Sequence, residues 1–167
     1  MNIMAKRDAA GEKAPALLVI GYGNELRSDD AVGPKTAEAV EGWQLPGIRS
    51  LACHQLTPEL TVPISAAQCV VFVDATVDAT DTVAMRPLAP AGPDQVMTHA
   101  ADPRLLLRMA KDLFNRCPPA FLLTIPIENL ALGEGLSTSA REGIQSALNL
   151  IRSLVPTPNF ETQKVNS

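Results

Sequence analysis

The residues best equipped for chemistry in this chain are two adjacent acids, Asp29 and Asp30, a third acid at Asp74, and His99, one of only two histidines. Asp29 and Asp30 follow an apolar run (residues 16–20) that stops at Gly21-Tyr22-Gly23-Asn24, and they stand just before a helical pattern. That order places carboxylates on the loop at the carboxyl end of a first strand, the edge at which open α/β sheets bind ligands. Asp74 closes another apolar strand, Val70-Val71-Phe72-Val73, where an acid is costly unless it lies at the rim and finds a partner. Parallel strands end on the same edge, so Asp30 and Asp74 can converge. His99 precedes the helix start Asp102-Pro103. Two carboxylates and one imidazole make a mixed oxygen and nitrogen donor set for a metal ion, with room for outside ligands. Each residue also has a plainer role open to it: Asp29 or Asp30 as a helix cap, Asp74 as a loop cap, His99 as a surface histidine.

Other chemistries fit less well. A dinucleotide fingerprint needs a third glycine where this chain has Leu26, and two acids would repel phosphate where helix-end amides should attract it. Gly33-Pro34-Lys35-Thr36 resembles the end of a P-loop, but Pro34 intrudes and the preceding spacing is wrong. For a nucleophilic hydrolase there is no Gly-x-Ser-x-Gly elbow, and Cys53 and His54, adjacent on a strand, point to opposite faces. His54 reads as a rim residue, Asp78 and Asp81 as turn residues, and Glu134, between Gly133 and Gly135, as a loop acid. The three cysteines, Cys53, Cys69 and Cys117, form no C-x-x-C pair and suit neither a disulfide framework nor a zinc site. Cys69, beside Val70, Val71 and Phe72, reads as a small buried hydrophobe.

Strand-like runs at 16–20, 48–53, 69–74, 82–88 and 120–127 alternate with helical patterns, which argues an α/β fold. The expected architecture is a three-layer α/β/α sandwich around a mostly parallel, mixed five-stranded sheet. The run at 82–88 follows the third strand without a crossover helix and is therefore expected as its antiparallel neighbour. The first helix is expected to begin between Asp30 and Pro34 and to reach about Gly42. Thr57-Pro58-Glu59 and Asp102-Pro103 read as cap and first turn of two more, and the last is expected to begin near Ser137–Ser139, where Ser139-x-x-Glu142 resembles a capping box.

A chain of 167 residues suggests one domain, expected over 15–155, with tails at 1–14 and 156–167. A net charge of −4 without a basic stripe argues against nucleic acid as a partner. No apolar run approaches the length needed to span a bilayer. The first 14 residues carry basic side chains but no apolar segment behind them, so a secretory signal is not expected and the cytoplasm is the expected compartment.

Together these residues resemble the hydrogenase maturation proteases, endopeptidases that trim the large subunit of [NiFe] hydrogenases. The resemblance is carried by Gly21-x-Gly-Asn24 with the acidic pair and Gly33, by Gln55-Leu-Thr-Pro-Glu-Leu60, by Val71-Phe-Val-Asp74-Ala, by Thr98-His99 and by Gly133-Glu-Gly-Leu-Ser137. It spans roughly residues 16–155, in order. The resemblance implies a metal-contacting and catalytic triad of Asp30, Asp74 and His99, with nickel as the metal, arriving with the substrate and already seated in the hydrogenase large-subunit precursor. The family's first acid is often glutamate and here is aspartate, one methylene shorter, which leaves Asp29 open to sharing the role. His54, Gln55 and Thr57 are implied as rim contacts, and a monomer is favoured. A non-proteolytic nickel-binding or hydrogenase assembly chaperone on the same scaffold is the competing reading.

Overall fold

A computed structural model describes residues 14–78, 82–94 and 102–155. The expected tails, apart from Ala14, therefore lie outside the described residues, as do Asp81, Thr98 and His99. The strands are β1 (Leu17–Tyr22), β2 (Ile48–Cys53), β3 (Val70–Thr76), β4 (Ala84–Pro87) and β5 (Ala120–Pro126). They form one five-stranded sheet in the order β2-β1-β3-β5-β4. All pairings are parallel except β4 with β5.

The expected mixed α/β sheet is present, with one correction. β4 runs antiparallel to β5, not beside β3, because β5 is inserted between them. Composition explains the order. β5 carries the fully buried Leu123 and Ile125 and needs neighbours on both sides, whereas β4, Ala-Met-Arg-Pro, is largely exposed and ends in proline, which suits an edge.

Helices α1 (Val32–Glu41) and α4 (Thr138–Ser153) pack on one face, and α2 (Thr61–Ala66) and α3 (Pro103–Phe114) on the other. Strand alternation sorts the side chains between them. Leu17, Val19, Val71 and Val73 join Val32, Val40, Ile144 and Ile151 in one core. Leu18, Ile20, Val70 and Phe72 join Ile64, Leu106 and Leu107 in the other.

Two of the expected caps differ in detail. Asp102 caps α3 as its sequence suggests, its Oδ1 accepting from the Arg104 amide at 2.9 Å. α4 is capped by Ser137, whose Oγ accepts from the Ala140 amide at 3.1 Å, so Ser139 falls inside the helix instead of capping it. The Thr57 side chain makes no capping hydrogen bond, and Pro58–Leu60 form a 3-10 turn before α2. Pro63 accounts for this: without an amide hydrogen it fits only the first turn of an α-helix, so the α-helix cannot start at Pro58.

One backbone contact sets α1 against the sheet. Gly21 in β1 meets the carbonyl of Gly33 in α1, with no room for a methyl group on Gly21; a methyl on Gly33 would in turn meet the backbone of Tyr22 and the carbonyl of Val73. The start of α1 is thereby pressed onto the carboxyl ends of β1 and β3. Alanine is intrinsically better than glycine in a helix by about 1 kcal/mol. Gly33→Ala should nevertheless lower stability, by about 1–3 kcal/mol net, because the overpacking exceeds the propensity gain. Urea denaturation monitored by circular dichroism measures the sign.

Candidate active site

The carboxyl ends of the central strands carry a row of polar side chains. Tyr22 is in register with Cys53 of β2, and Asp74 with Thr124 of β5. Gly21 pairs with Val73, so Tyr22 and Asp74 continue the same row. Tyr22 follows Leu18 and Ile20 by alternation, and Asp74 follows Val70 and Phe72, so both face the α2/α3 side. The Tyr22 hydroxyl donates to Asp74 Oδ2 at 3.0 Å.

Asp74 is half-buried, and burial pushes its carboxyl above the usual range. The Tyr22 hydroxyl and the Ala75 amide oppose that shift by hydrogen bonding to the anion, while the charge of Asp30 adds to it. Burial likewise pushes the Tyr22 phenol far above its ordinary value, reinforced by Asp74, Asp102 and Cys53. At neutral pH Tyr22 is therefore a hydrogen-bond donor.

Asp30 arrives from the other side of the edge. A 3-10 turn, Ser28–Ala31, joins the β1 exit to α1, and Asp30 Oδ2 accepts from the Asn24 amide at 2.9 Å. Gly23 permits the turn to fold back, since a side chain there would meet the Asp30 carbonyl. Asp30 remains partly exposed, close enough for its charge to act on Asp74.

Asp29, which the sequence left open as a sharer of the metal role, points the opposite way. It is fully buried. Its Oδ1 accepts from the Ser137 amide at 2.8 Å, and its Oδ2 from Ser137 Oγ at 2.8 Å, the Asn129 amide at 3.1 Å and the Glu128 amide at 3.4 Å. Burial alone would raise its carboxyl, but these donors outweigh burial and hold it below the ordinary value. Ser28, at φ 48° in the left-handed region, donates through Oγ to the Ala131 carbonyl at 2.9 Å and joins the same fastening. Asp29 therefore holds the β5–α4 loop and has no capacity left for a ligand.

The remaining expected residues are more scattered. His54 and Gln55 are exposed just past β2, and Thr57 is half-buried. Asp78 and Glu134 are exposed on loops. Cys53 and Cys69 are half-buried free thiols, so Cys69 is less enclosed than its neighbours suggested. His99 lies outside the described residues; Asp102, three residues later, is felt electrostatically by Tyr22. Among the described residues no three of histidine, cysteine, aspartate and glutamate gather into a metal-binding group. A cavity of about 610 Å³ lies between β5 and the start of α4, with Glu128, Ser139 and Glu142 in its wall, and does not include the carboxylate pair.

Sequence reasoning missed Tyr22 as a partner of Asp74. The signal was present in strand parity: Leu18, Ile20 and Tyr22 share a face, and so do Val70, Phe72 and Asp74. It also missed Asp29 as a buried anchor, because adjacent carboxylates look alike until their surroundings are known.

No protein-family profile matches the chain, and no curated protein matches it. Solved structures do. The [NiFe] hydrogenase maturation protease HycI from Thermococcus kodakarensis KOD1 gives a TM-score of 0.65 at 22% identity, covering 88% of this chain and 96% of its own. The maturation protease HybD from Thermococcus kodakarensis gives 0.65 at 20% identity, covering 84% and 99%. The hydrogenase maturating endopeptidase HybD from E. coli gives 0.62 at 23% identity, covering 82% and 90%. The chain has the α/β fold of these endopeptidases. Among the described residues no helix is long and apolar enough to cross a membrane.

Asp29→Asn keeps shape but turns an acceptor-only group into one that must face donors with an amide. It should cost about 2–4 kcal/mol at neutral pH. Because the folded-state carboxyl lies below its unfolded value of about 4, its contribution is complete above that pH and fades as the pH falls through the folded value. Urea titrations at pH 7 and pH 3 should show the deficit of the variant shrinking in acid.

Proposed function

We propose that this chain is an endopeptidase that removes a C-terminal peptide from the nickel-loaded precursor of a [NiFe]-hydrogenase large subunit, engaging the nickel through Asp30, Asp74 and His99. The observation that carries this reading is the placement of Asp30, on the turn after β1, and Asp74, near the end of β3, at one edge of the sheet, on the fold of the hydrogenase maturation endopeptidases. Two like charges there raise each other's energy, and a divalent cation between them relieves the repulsion while satisfying oxygen lone pairs. The donor set fits such an ion: carboxylate oxygens, with His99 as the expected nitrogen ligand, leave positions for ligands from the precursor.

Nickel in this reading is part of the substrate. Metal-free precursor brings no charge to offset the carboxylates and is discriminated against by that uncompensated repulsion. The ion orients the C-terminal segment, and polarisation of the scissile carbonyl is the chemistry it supplies. We favour this over an aspartate acting alone as base on water, since the carboxylates then serve both to read the ion and to position it. An assembly chaperone would bind the same precursor and leave its length unchanged.

The deciding experiment incubates the purified chain with nickel-loaded and nickel-free precursor and follows precursor mass. Shortening of the loaded form alone is expected; unchanged mass in both defeats the endopeptidase reading. His99→Ala and Asp30→Ala should abolish trimming while leaving the circular dichroism spectrum intact. Asp74→Asn should also abolish trimming, with a thermal midpoint unchanged or higher, because a half-buried carboxylate repelled by Asp30 is removed.

A further inference from the structure

Tyr22 is the chain's single tyrosine, and only 8% of it is exposed. Its ring belongs to the core formed with Leu56, Ile64, Phe72 and Leu106, so packing fixes its position. Phenylalanine would fill that space equally well. What the hydroxyl adds is one donor, and that donor is spent on Asp74 Oδ2 at 3.0 Å.

An aspartate carboxylate turns about a broad terminal torsion, so nothing intrinsic decides which oxygen faces a ligand. Here a rigid donor decides it. Asp30 is treated in the same manner, its Oδ2 held by the Asn24 backbone amide at 2.9 Å. Each carboxylate thus has its Oδ2 pinned by a donor on a fixed element, and the Ala75 amide adds a further hydrogen bond to Asp74. The number of oxygens each presents matters for an ion that arrives with ligands of its own. Two carboxylates binding through both oxygens would take four coordination positions, whereas two binding through single oxygens take two.

We propose that Tyr22 is a positioning residue that holds Asp74 Oδ2 so that Asp74 presents a single oxygen to a divalent metal ion already ligated by its carrier. The proposal rests on the reading of the site as one that engages substrate-borne nickel, and it deepens that reading by assigning the way the ion is gripped. Hydrogen-bond partners that orient metal-ligating side chains typically contribute 10- to 100-fold to affinity or activity, so the effect is large enough to measure.

The single tyrosine makes the contact directly observable, because the tyrosine bands in the ultraviolet resonance Raman spectrum of the full chain come from Tyr22 alone, distinct from those of Trp43 and the phenylalanines. Titration with nickel chloride should shift that signal saturably towards weaker phenol donation, since an ion on one oxygen withdraws charge from the other. Calorimetry on the same solutions gives the nickel affinity. Tyr22→Phe should weaken this affinity about tenfold. It should raise the KM for nickel-loaded precursor by a similar factor, with kcat changing less. A merely structural role for the hydroxyl would lower the thermal midpoint and leave the affinity per folded molecule and the KM where they were. That result, or a tyrosine signal that nickel does not move, overturns the proposal. Should Tyr22→Phe fail to fold, the Raman titration of the unaltered chain still decides. A chain whose nickel binding shifts the Tyr22 signal but which shortens neither precursor supports the Tyr22 assignment and defeats the endopeptidase reading.

Discussion

The carboxylate of Asp29 sits in the interior of the protein with its charge intact, surrounded by donors from Glu128, Asn129 and Ser137. A buried charge is tolerated only when its lone pairs are fully used, and here their use spans about 100 residues of sequence. The bond fastens the turn after β1 to the loop before α4, and Ser137 at that loop's end is also the cap of α4. Asp30 inherits its direction from this anchor. Successive residues of a 3-10 turn are rotated by roughly 120°, so fixing Asp29 inward commits Asp30 to another side. With Gly21 and Gly33 in backbone contact beneath it, the turn is held over the strand ends where Asp74 emerges.

The acids at this edge are separated by environment, not by type. Asp29 is surrounded by donors and stabilises the fold as an anion. Asp74 is half-desolvated, feels the charge of Asp30 and is destabilised as an anion despite the Tyr22 hydroxyl. One chemical group serves as a fastening and, two strands away in the sequence, as an unfavourable charge retained at a rim. A fold that keeps the second kind of carboxylate at a cost in stability offers a place where a cation changes the balance.

Much of this was legible in the chain. Alternating apolar runs located all five strands and the three-layer plan, because strands covered on both faces must be almost continuously apolar. The Gly21 to Gly33 segment announced a carboxylate-bearing loop at a strand end. Two things were hidden. The position of β4 depends on which strand best completes the sheet, a competition between β3 and β5 that local sequence does not express. The opposed fates of Asp29 and Asp30 depend on backbone amides at Glu128, Asn129 and Ser137, and every residue other than proline has such an amide. Tyr22 lies between these cases: its face followed from parity, but its partner required the register of β1 against β3.

The adjacency of two chemically identical acids turns the segment 24–28 into a length gauge. The cage around Asp29 recognises a carboxylate, not a residue number, so the distance from the end of β1 decides which acid enters it. Removing one residue from 24–28 would deliver Asp30 to the cage and turn Ala31 towards Asp74, leaving no first carboxylate at the edge, and it would also carry Pro34 towards the place of Gly33, where there is no room for a side chain. Adding one would bring Ser28 to the cage and send Asp29 outward, keeping a carboxylate at the edge on a loosened mount. Insertions and deletions in this loop thus part company at the carboxylate edge, one keeping the first acid without its mount and the other losing it, while either displaces Gly33 from its contact with β1.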